Sequence, residues 1–460
     1  MKEILGKEID IRIGTLGFRG VEKLPGFALR KTFVASSPSG PKTVRVFEGT
    51  LPNSRVPIYA LDPDGLFDRP GLYGENGEDY PDNLMRFSVW NHALLQMLPV
   101  LDFIPDILHA NDWQTALSIP LLPEVLGSFP ARPLPKTLLS IHNMAYQGIF
   151  PLSQWGETGL PDSFNHFDGL EFHGSLSLLK GGIQHATALS TVSPSYRDEV
   201  LMEPGGSGLS AALKFREHDF FGLLNGIDLA EWNPETDKFL PYHYSARQPE
   251  NKIRVKQFFR NVWDFPKDRS RPLFGVVSRM ASQKGLDLLA RALLERGSAQ
   301  GMGEDWIVLG SGEPEIEKIW KEAQKAFPKE IRVIIGFDEA LSHQIMAAAD
   351  FLVVPSVYEP CGLTQMYAMR YGTLPVVNPT GGLRDTVIPG KTGLWLPELS
   401  TAGLASSLEE AGNLFIDRPE MDKIQRKAME QATGWDDRAS AYLRLYRKIL
   451  GQKKRQAMTS

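Results

Sequence analysis

Cysteine is nearly absent: one thiol, Cys361, serves 460 residues. That excludes an intrachain disulfide and a cysteine-rich zinc site, and it fits a reducing compartment. Long apolar runs are missing too, for no stretch approaches the roughly 18 residues that a membrane helix needs. The opening MKEILGKEIDIRIG is charged throughout. It has no apolar core of the kind a secretory leader requires. We therefore expect a cytoplasmic protein with no membrane partner.

Positive charge is not in excess. The 50 lysines and arginines face 55 acidic residues, for a net charge of −5. A nucleic-acid binder shows a basic stripe, and the one dense basic run, KKRQ at 453–456, reads as a solvated tail. No solenoid repeat or low-complexity tract occurs. No Walker G-x-x-x-x-G-K-[ST] is present, and GSGEPE lacks the full G-x-G-x-x-G, so kinase and dinucleotide readings are poor.

What is present is a soluble composition, 42% hydrophobic and 23% charged, at a length that suits two or three domains. Short apolar segments alternate with amphipathic ones. In the first half DILHA, TLLSI and ALSTVS read as strands, and TALSIPLLPEVLG, LSLLKGGIQHA and PSYRDEVLM as helices. A polar stretch from Pro249 to Pro272, with ENKIRVKQFFRNV as a helix, reads as the linker. A second block then runs PLFGVV, LDLLARALLER, WIVLGSG, EPEIEKIWKEAQKAF, IRVIIGF, SHQIMAAAD, FLVVPS, GLTQMYAMRYG and LPVVN. Alternation of this kind implies α/β domains with parallel sheets flanked by helices, which bind ligands at the carboxyl ends of their strands.

Seven polar signatures directly follow expected strands. They are HANDWQ (109–114), IHNMAYQG (141–148), LNGID (224–228), SRMASQKG (278–285), LGSGEPE (309–315), PSVYEPCGLTQ (355–365) and NPTGGLRDT (378–386). In the second block, Arg279 and Lys284 bring two cations to a strand-to-helix turn. Glu359 to Thr364 and Thr380 to Leu383 each leave a strand and open a helix. Amide donors plus two cations suit a phosphate or diphosphate; ordinary helix capping with surface ion pairs is the plainer alternative. In the first block, Asp112, His142, Asn143, Tyr146, Gln147 and Asn225, with Trp113 beside them, suit a polyhydroxylated ligand. Trp113 and Tyr146 fit a core role equally well.

In this order, HANDWQTAL, IHNMAYQGIF, LNGID, SRMASQKGLDLL, PSVYEPCGLTQMYAMRYGTLPVV and TGGLRDTV closely resemble the bacterial glycogen synthases and plant starch synthases. The likeness runs from about Pro57 to about Tyr446. It implies a GT-B fold of two Rossmann-like, doubly wound domains facing a cleft. It also implies transfer of glucose from ADP-glucose to an α-1,4-glucan with retention, with no metal or other cofactor. It assigns Arg279 and Lys284 to the diphosphate leaving group, Glu359 to the glucose hydroxyls and the oxocarbenium-like transition state, and His142 to the sugar. Cys361, Gly362, Leu363 and Thr364 would line the phosphate site with Gly381 and Gly382, and Phe337 would stack on adenine. Asp112 and Asn225 would support the sugars, with Asn143, Tyr146 and Gln147 on the acceptor side. The domains expected are 1–248, 249–434 and a C-terminal helix in 435–460 that crosses back to the first.

The sequence departs from the family at its start. The family opens on a strand and a K-x-G-G-L loop, and the first 56 residues hold no K-x-G-G-L. We expect an N-terminal domain lacking that strand and loop, through a longer natural chain, a loss, or replacement by IDIRIG and KTVRVFEG. A non-catalytic nucleotide or glucan binder and a GT-B enzyme for another nucleotide sugar remain open. A metal-dependent transferase would need its D-x-D, and the literal match Asp62-Pro63-Asp64 reads as a turn. A glycoside hydrolase needs two facing carboxylates, and only Glu359 and Asp112 offer themselves.

Overall fold

The computed structural model describes residues 9–75, 77–127, 133–266, 270–431 and 433–451, so the KKRQ run and the MKEILGKE opening lie outside the described residues. The chain forms two compact units. The first comprises residues 1–191, 197–223 and 439–460, and the second residues 192–196 and 224–438.

The first unit holds two four-stranded sheets among its described residues. In one, strands β1 (Ile13–Leu16), β2 (Ala28–Ala35), β3 (Lys42–Thr50) and β4 (Pro57–Pro63) lie in the order β1-β4-β3-β2. The pair β1–β4 is parallel and the others are antiparallel. IDIRIG and KTVRVFEG thus contribute real strands. The D-x-D is a turn at the end of β4, with Asp64 and Gly65 at φ 48° and 71°. Asp62 is engaged by Arg45, and Asp64 accepts the Thr43 N–H at 3.0 Å.

The other sheet is wholly parallel: β5 (Ile107–Asn111), β6 (Lys136–Ile141), β7 (Ala188–Thr191) and β8 (Phe220–Gly222), in the order β8-β7-β6-β5. Buried apolar residues fill both faces of β6 and β7, the pattern of a covered parallel sheet. Helix α1 (Asn83–Val100) packs on β4, and α2 (Asp112–Ala116) opens directly from β5. The C-terminal helix (Trp435–Ile449) belongs to this unit from Ala439 onward, and its Tyr442 and Leu445 cluster with Leu138 and Ala188.

The second unit is one six-stranded parallel sheet. Its strands are β9 (Leu273–Val277), β10 (Asp305–Gly310), β11 (Ile331–Ile335), β12 (Phe351–Val354), β13 (Leu374–Val377) and β14 (Leu394–Trp395), in the order β11-β10-β9-β12-β13-β14. That is doubly wound, and the winding reverses between β9 and β12. At the seam Phe274 stacks on Trp306 and Phe351, with ring centroids 4.7 and 5.1 Å apart.

The expected boundary at residue 249 falls inside the second unit, whose main segment begins at Leu224. The reason is packing. Trp232 stacks on His343 and Tyr367 at 3.8 Å each. The expected linker helix, Glu250–Val262, is bolted down rather than spanning. Its buried Lys252 donates to the Ala347 carbonyl at 3.0 Å and to Thr373 Oγ1 at 2.8 Å, and Lys256 pairs with Asp350 at 2.5 Å. Its charge made it look like a linker, but those charges are used inward.

Candidate active site

In the second unit the reversal of strand order opens a crevice beyond the carboxyl ends of β9 and β12, the position where such sheets take ligands. The two loops that border it are joined. Lys284 Nζ lies 2.6 Å from Glu359 Oε2. Ser356 Oγ donates to the same oxygen at 2.9 Å. Gln283 Nε2 donates to the Tyr358 carbonyl at 3.0 Å, and Val357 N–H donates to the Gln283 carbonyl at 2.8 Å. Glu359 is 7% exposed, so its charge is stabilised by a cation and a hydroxyl rather than by water.

Glycines allow this approach. Gly285 has φ 63°, and a Cβ there would lie 2.2 Å from the Pro355 carbonyl oxygen. Arg279, on the same loop as Lys284, is exposed. Ser282 is clamped by Glu313, which accepts its N–H at 2.9 Å. LGSGEPE therefore braces the cationic loop.

The segment after Glu359 is more closed than its composition suggests. Cys361 is 4% exposed, and burial pushes its thiol up to about 11. Leu363 is exposed, Gly362 and Thr364 are half-buried, and helix Thr364–Arg370 follows. Gly382 donates its N–H to the Glu359 carbonyl at 2.9 Å, and a Cβ there would sit 2.4 Å from Cys361 Cα. Gly381 and Gly382 are buried, so their first role is letting Thr380–Thr386 pack against the Glu359 turn. Asn225 also lies here, its backbone N–H bonded to the Cys361 sulfur. Sequence order assigned Asn225 to the first domain; the structure puts it in the second unit. Phe337, after β11, is 90% exposed.

In the first unit, Asp112 begins α2 at φ 56°, an unusual value for a residue other than glycine. Its Oδ1 accepts the His142 N–H at 2.7 Å. Burial raises this carboxyl above its ordinary range, against the lowering effects of His142 and of the His142 and Asn143 amides. The His142 ring is half-buried, with Nε2 3.1 Å from Asn111 Oδ1. Asn143 Oδ1 accepts the Ala145 N–H at 3.0 Å.

His109 is different. Its Nδ1 is 2.7 Å from the Tyr446 hydroxyl and its Nε2 2.6 Å from Ser140 Oγ. Burial, with help from the nearby His142 charge, lowers it to about 4, which marks a neutral structural imidazole.

Not every expected sugar contact is available. Trp113 is core: it is 9% exposed and packs on Phe87, Tyr73 and Phe150 with centroids 4.8, 6.0 and 5.9 Å away. Gln147 is 5% exposed, and its Nε2 is spent on the Met144 and Ser207 carbonyls at 3.2 and 2.8 Å. These two bonds brace its loop, while its Oε1 is buried with no hydrogen-bond partner among the described residues. Tyr146, 54% exposed, does offer a face. Ser356 and Gln283 were missed. Both lie inside quoted motifs, but nothing in their spacing says that they reach across to Glu359 and Tyr358.

The starch synthase catalytic domain model matches residues 5–215, and the model for glycosyl transferases group 1 matches residues 257–431. A glycogen synthase of Myxococcus xanthus is 40% identical over 455 residues, 96% of this chain and 93% of that protein. One of Thioalkalivibrio sulfidiphilus is 40% identical over 426 residues, covering 89% and 86%. The chain belongs to the glycogen synthase family. Among solved structures, the catalytic domain of starch synthase IV from Arabidopsis thaliana, bound to ADP and acarbose, superposes with a TM-score of 0.86 at 30% identity, covering 97% of this chain and 93% of that one. The family assignment makes the protein a hexosyltransferase of two-domain GT-B type. No helix among the described residues is long and apolar enough to cross a membrane.

Proposed function

We propose that this glycogen synthase uses ADP-glucose as donor and an α-1,4-glucan as acceptor, retains configuration, and needs no metal for the transfer. The Lys284–Glu359 pair carries the reading. Its two contacts, from Lys284 and Ser356, both fall on Oε2, which leaves Oε1 to accept from a glucose hydroxyl. Arg279 supplies a cation from the same loop as Lys284. As the glucosyl bond breaks, negative charge grows on the diphosphate while positive charge grows at the anomeric carbon. Two cations beside one carboxylate oppose both changes in a low-dielectric setting. Gly362, Leu363 and Thr364 offer backbone to the phosphates, and the exposed Phe337 ring a face to adenine. Cys361 and the paired Gly381 and Gly382 shape that turn from beneath. In the first unit, Asp112 holds His142, which contacts sugar, and Tyr146 and Asn143 serve the acceptor.

The test is transfer of labelled glucose from ADP-glucose to glycogen, with UDP-glucose as parallel donor and Glu359→Ala as control. Turnover that prefers ADP-glucose and vanishes in the control supports the proposal. Equal or better use of UDP-glucose reassigns the donor. A folded chain that binds ADP without turnover makes it a binder.

A further inference from the structure

A second polar cluster in the second unit shares no residue with the Lys284–Glu359 crevice. Glu231, Glu339 and His343 each offer a ligating atom, and these atoms all lie within 4.8 Å of one another. Glu231 and Glu339 are exposed, whereas His343 is 1% exposed. On His343, Nδ1 lies 2.8 Å from Asp237 Oδ2. A carboxylate only accepts, so Nδ1 carries the proton and the Nε2 lone pair is left bare. Nε2 is buried without a hydrogen-bond partner. A buried, unpartnered ring nitrogen beside two carboxylates is a group in want of a ligand.

The imidazole is rigidly held. Trp232 lies flat against it, with centroids 3.8 Å apart and planes 14° apart. Asp237 is itself fixed, accepting from the Tyr371 hydroxyl at 2.5 Å. The carboxylates come from ordered backbone. Asp228 Oδ1 accepts the Ala230 and Glu231 amides at 2.8 and 3.2 Å. Asp338 caps the helix Glu339–Ala348, accepting the Leu341 N–H at 2.8 Å. Imidazole nitrogen with two carboxylate oxygens suits zinc and its divalent transition-metal neighbours better than calcium or magnesium. A carboxylate that holds the far nitrogen of a ligating histidine is the usual second layer of such a site. Two like charges this close also repel until a cation joins them.

We propose that Glu231, Glu339 and His343 form a binding site for a divalent transition-metal ion of the zinc class, oriented by Asp237 and completed by solvent on the exposed side. A bound ion ties the loop at Glu231 to the start of the helix at Glu339.

The experiment uses the full chain stripped of metal. Zn2+ is titrated by calorimetry, and Co2+ by its visible absorption, in the wild type and in a Glu231→Gln/Glu339→Gln variant. Both carboxylates are exposed and repel each other, so the metal-free variant should unfold at or slightly above the wild-type temperature. We expect one equivalent of metal in the wild type, a zinc-dependent rise in its unfolding temperature, and affinity at least about tenfold weaker in the variant. Absence of stoichiometric binding in the wild type, or equal binding by the variant, overturns the site.

Discussion

Lys284 and Glu359 meet across the reversal of strand order, Nζ to Oε2 at 2.6 Å. Their side chains are only 17% and 9% exposed. Breaking such a pair from one side leaves a buried charge, which typically costs 3–5 kcal/mol, whereas removing both charges costs far less. Lys284→Met should therefore lower the free energy of unfolding by about 3 kcal/mol, and adding Glu359→Gln should recover part of the loss. Urea unfolding of the two single variants and the double variant measures the coupling. Transfer should fall at least about a hundredfold in all three, as expected where charge stabilisation is removed. Additive stabilities would mean that the pair is not coupled in solution.

The Cys361 thiol sits within the phosphate-site motif, but the residue is 4% exposed and burial pushes its thiol up to about 11. The thiolate is the reactive form. At pH 8 it is present at roughly one part in a thousand, behind a barrier of packing. A thiol-specific disulfide reagent should label the native chain slowly, with or without ADP, and the urea-unfolded chain at once. Rapid stoichiometric labelling of native protein would contradict this burial.

His109 is an acid-sensitive group of the first unit, along with His92 and His185, which burial also lowers. Burial, then the His142 charge, lowers it to about 4, against an ordinary value near 6.5. A base whose folded value is depressed contributes stability that is present above its unfolded value and lost as pH falls towards its folded value. The window is therefore pH 6.5 to 4, and the loss between pH 7 and 5 is about 2 kcal/mol. His109→Gln cannot titrate and keeps hydrogen-bonding groups for Ser140 and Tyr446. Its stability should fall less over that interval, by up to that amount. Identical pH slopes for the two proteins would remove His109 as the cause.

Much of the second unit was legible in the sequence because its strands are short, apolar and separated by amphipathic helices. PLFGVV, WIVLGSG and FLVVPS became β9, β10 and β12, and the loops after β9 and β12 carried the expected charged motifs. Hidden were relations between distant segments. Nothing local says that the charged 250–262 helix turns Lys252 and Lys256 inward, or that Asn225 meets Cys361. Exposure was equally unreadable. Trp113 and Tyr146 look alike as aromatic residues in polar motifs, yet Phe87, Tyr73 and Phe150 enclose the first and leave the second open. His109 and His142 both lie in polar motifs that border a strand, and only their partners separate the structural residue from the candidate catalytic one.

Phe337 gives the sharpest separation of binding from folding. At 90% exposure the ring has almost no packing to lose, and surface substitutions of that kind usually change stability by less than about 0.5 kcal/mol. Stacking of a base on an aromatic ring is worth roughly 1–3 kcal/mol. If Phe337 covers the adenine, Phe337→Ala should raise KM for ADP-glucose about tenfold or more. It should leave kcat and the unfolding midpoint nearly unchanged, because uniform binding contributes equally to ground and transition states. Phe337→Tyr keeps the face and should keep the KM. A fall in kcat with KM unchanged would place Phe337 in transition-state positioning instead, and no change in either constant would remove it from the donor site.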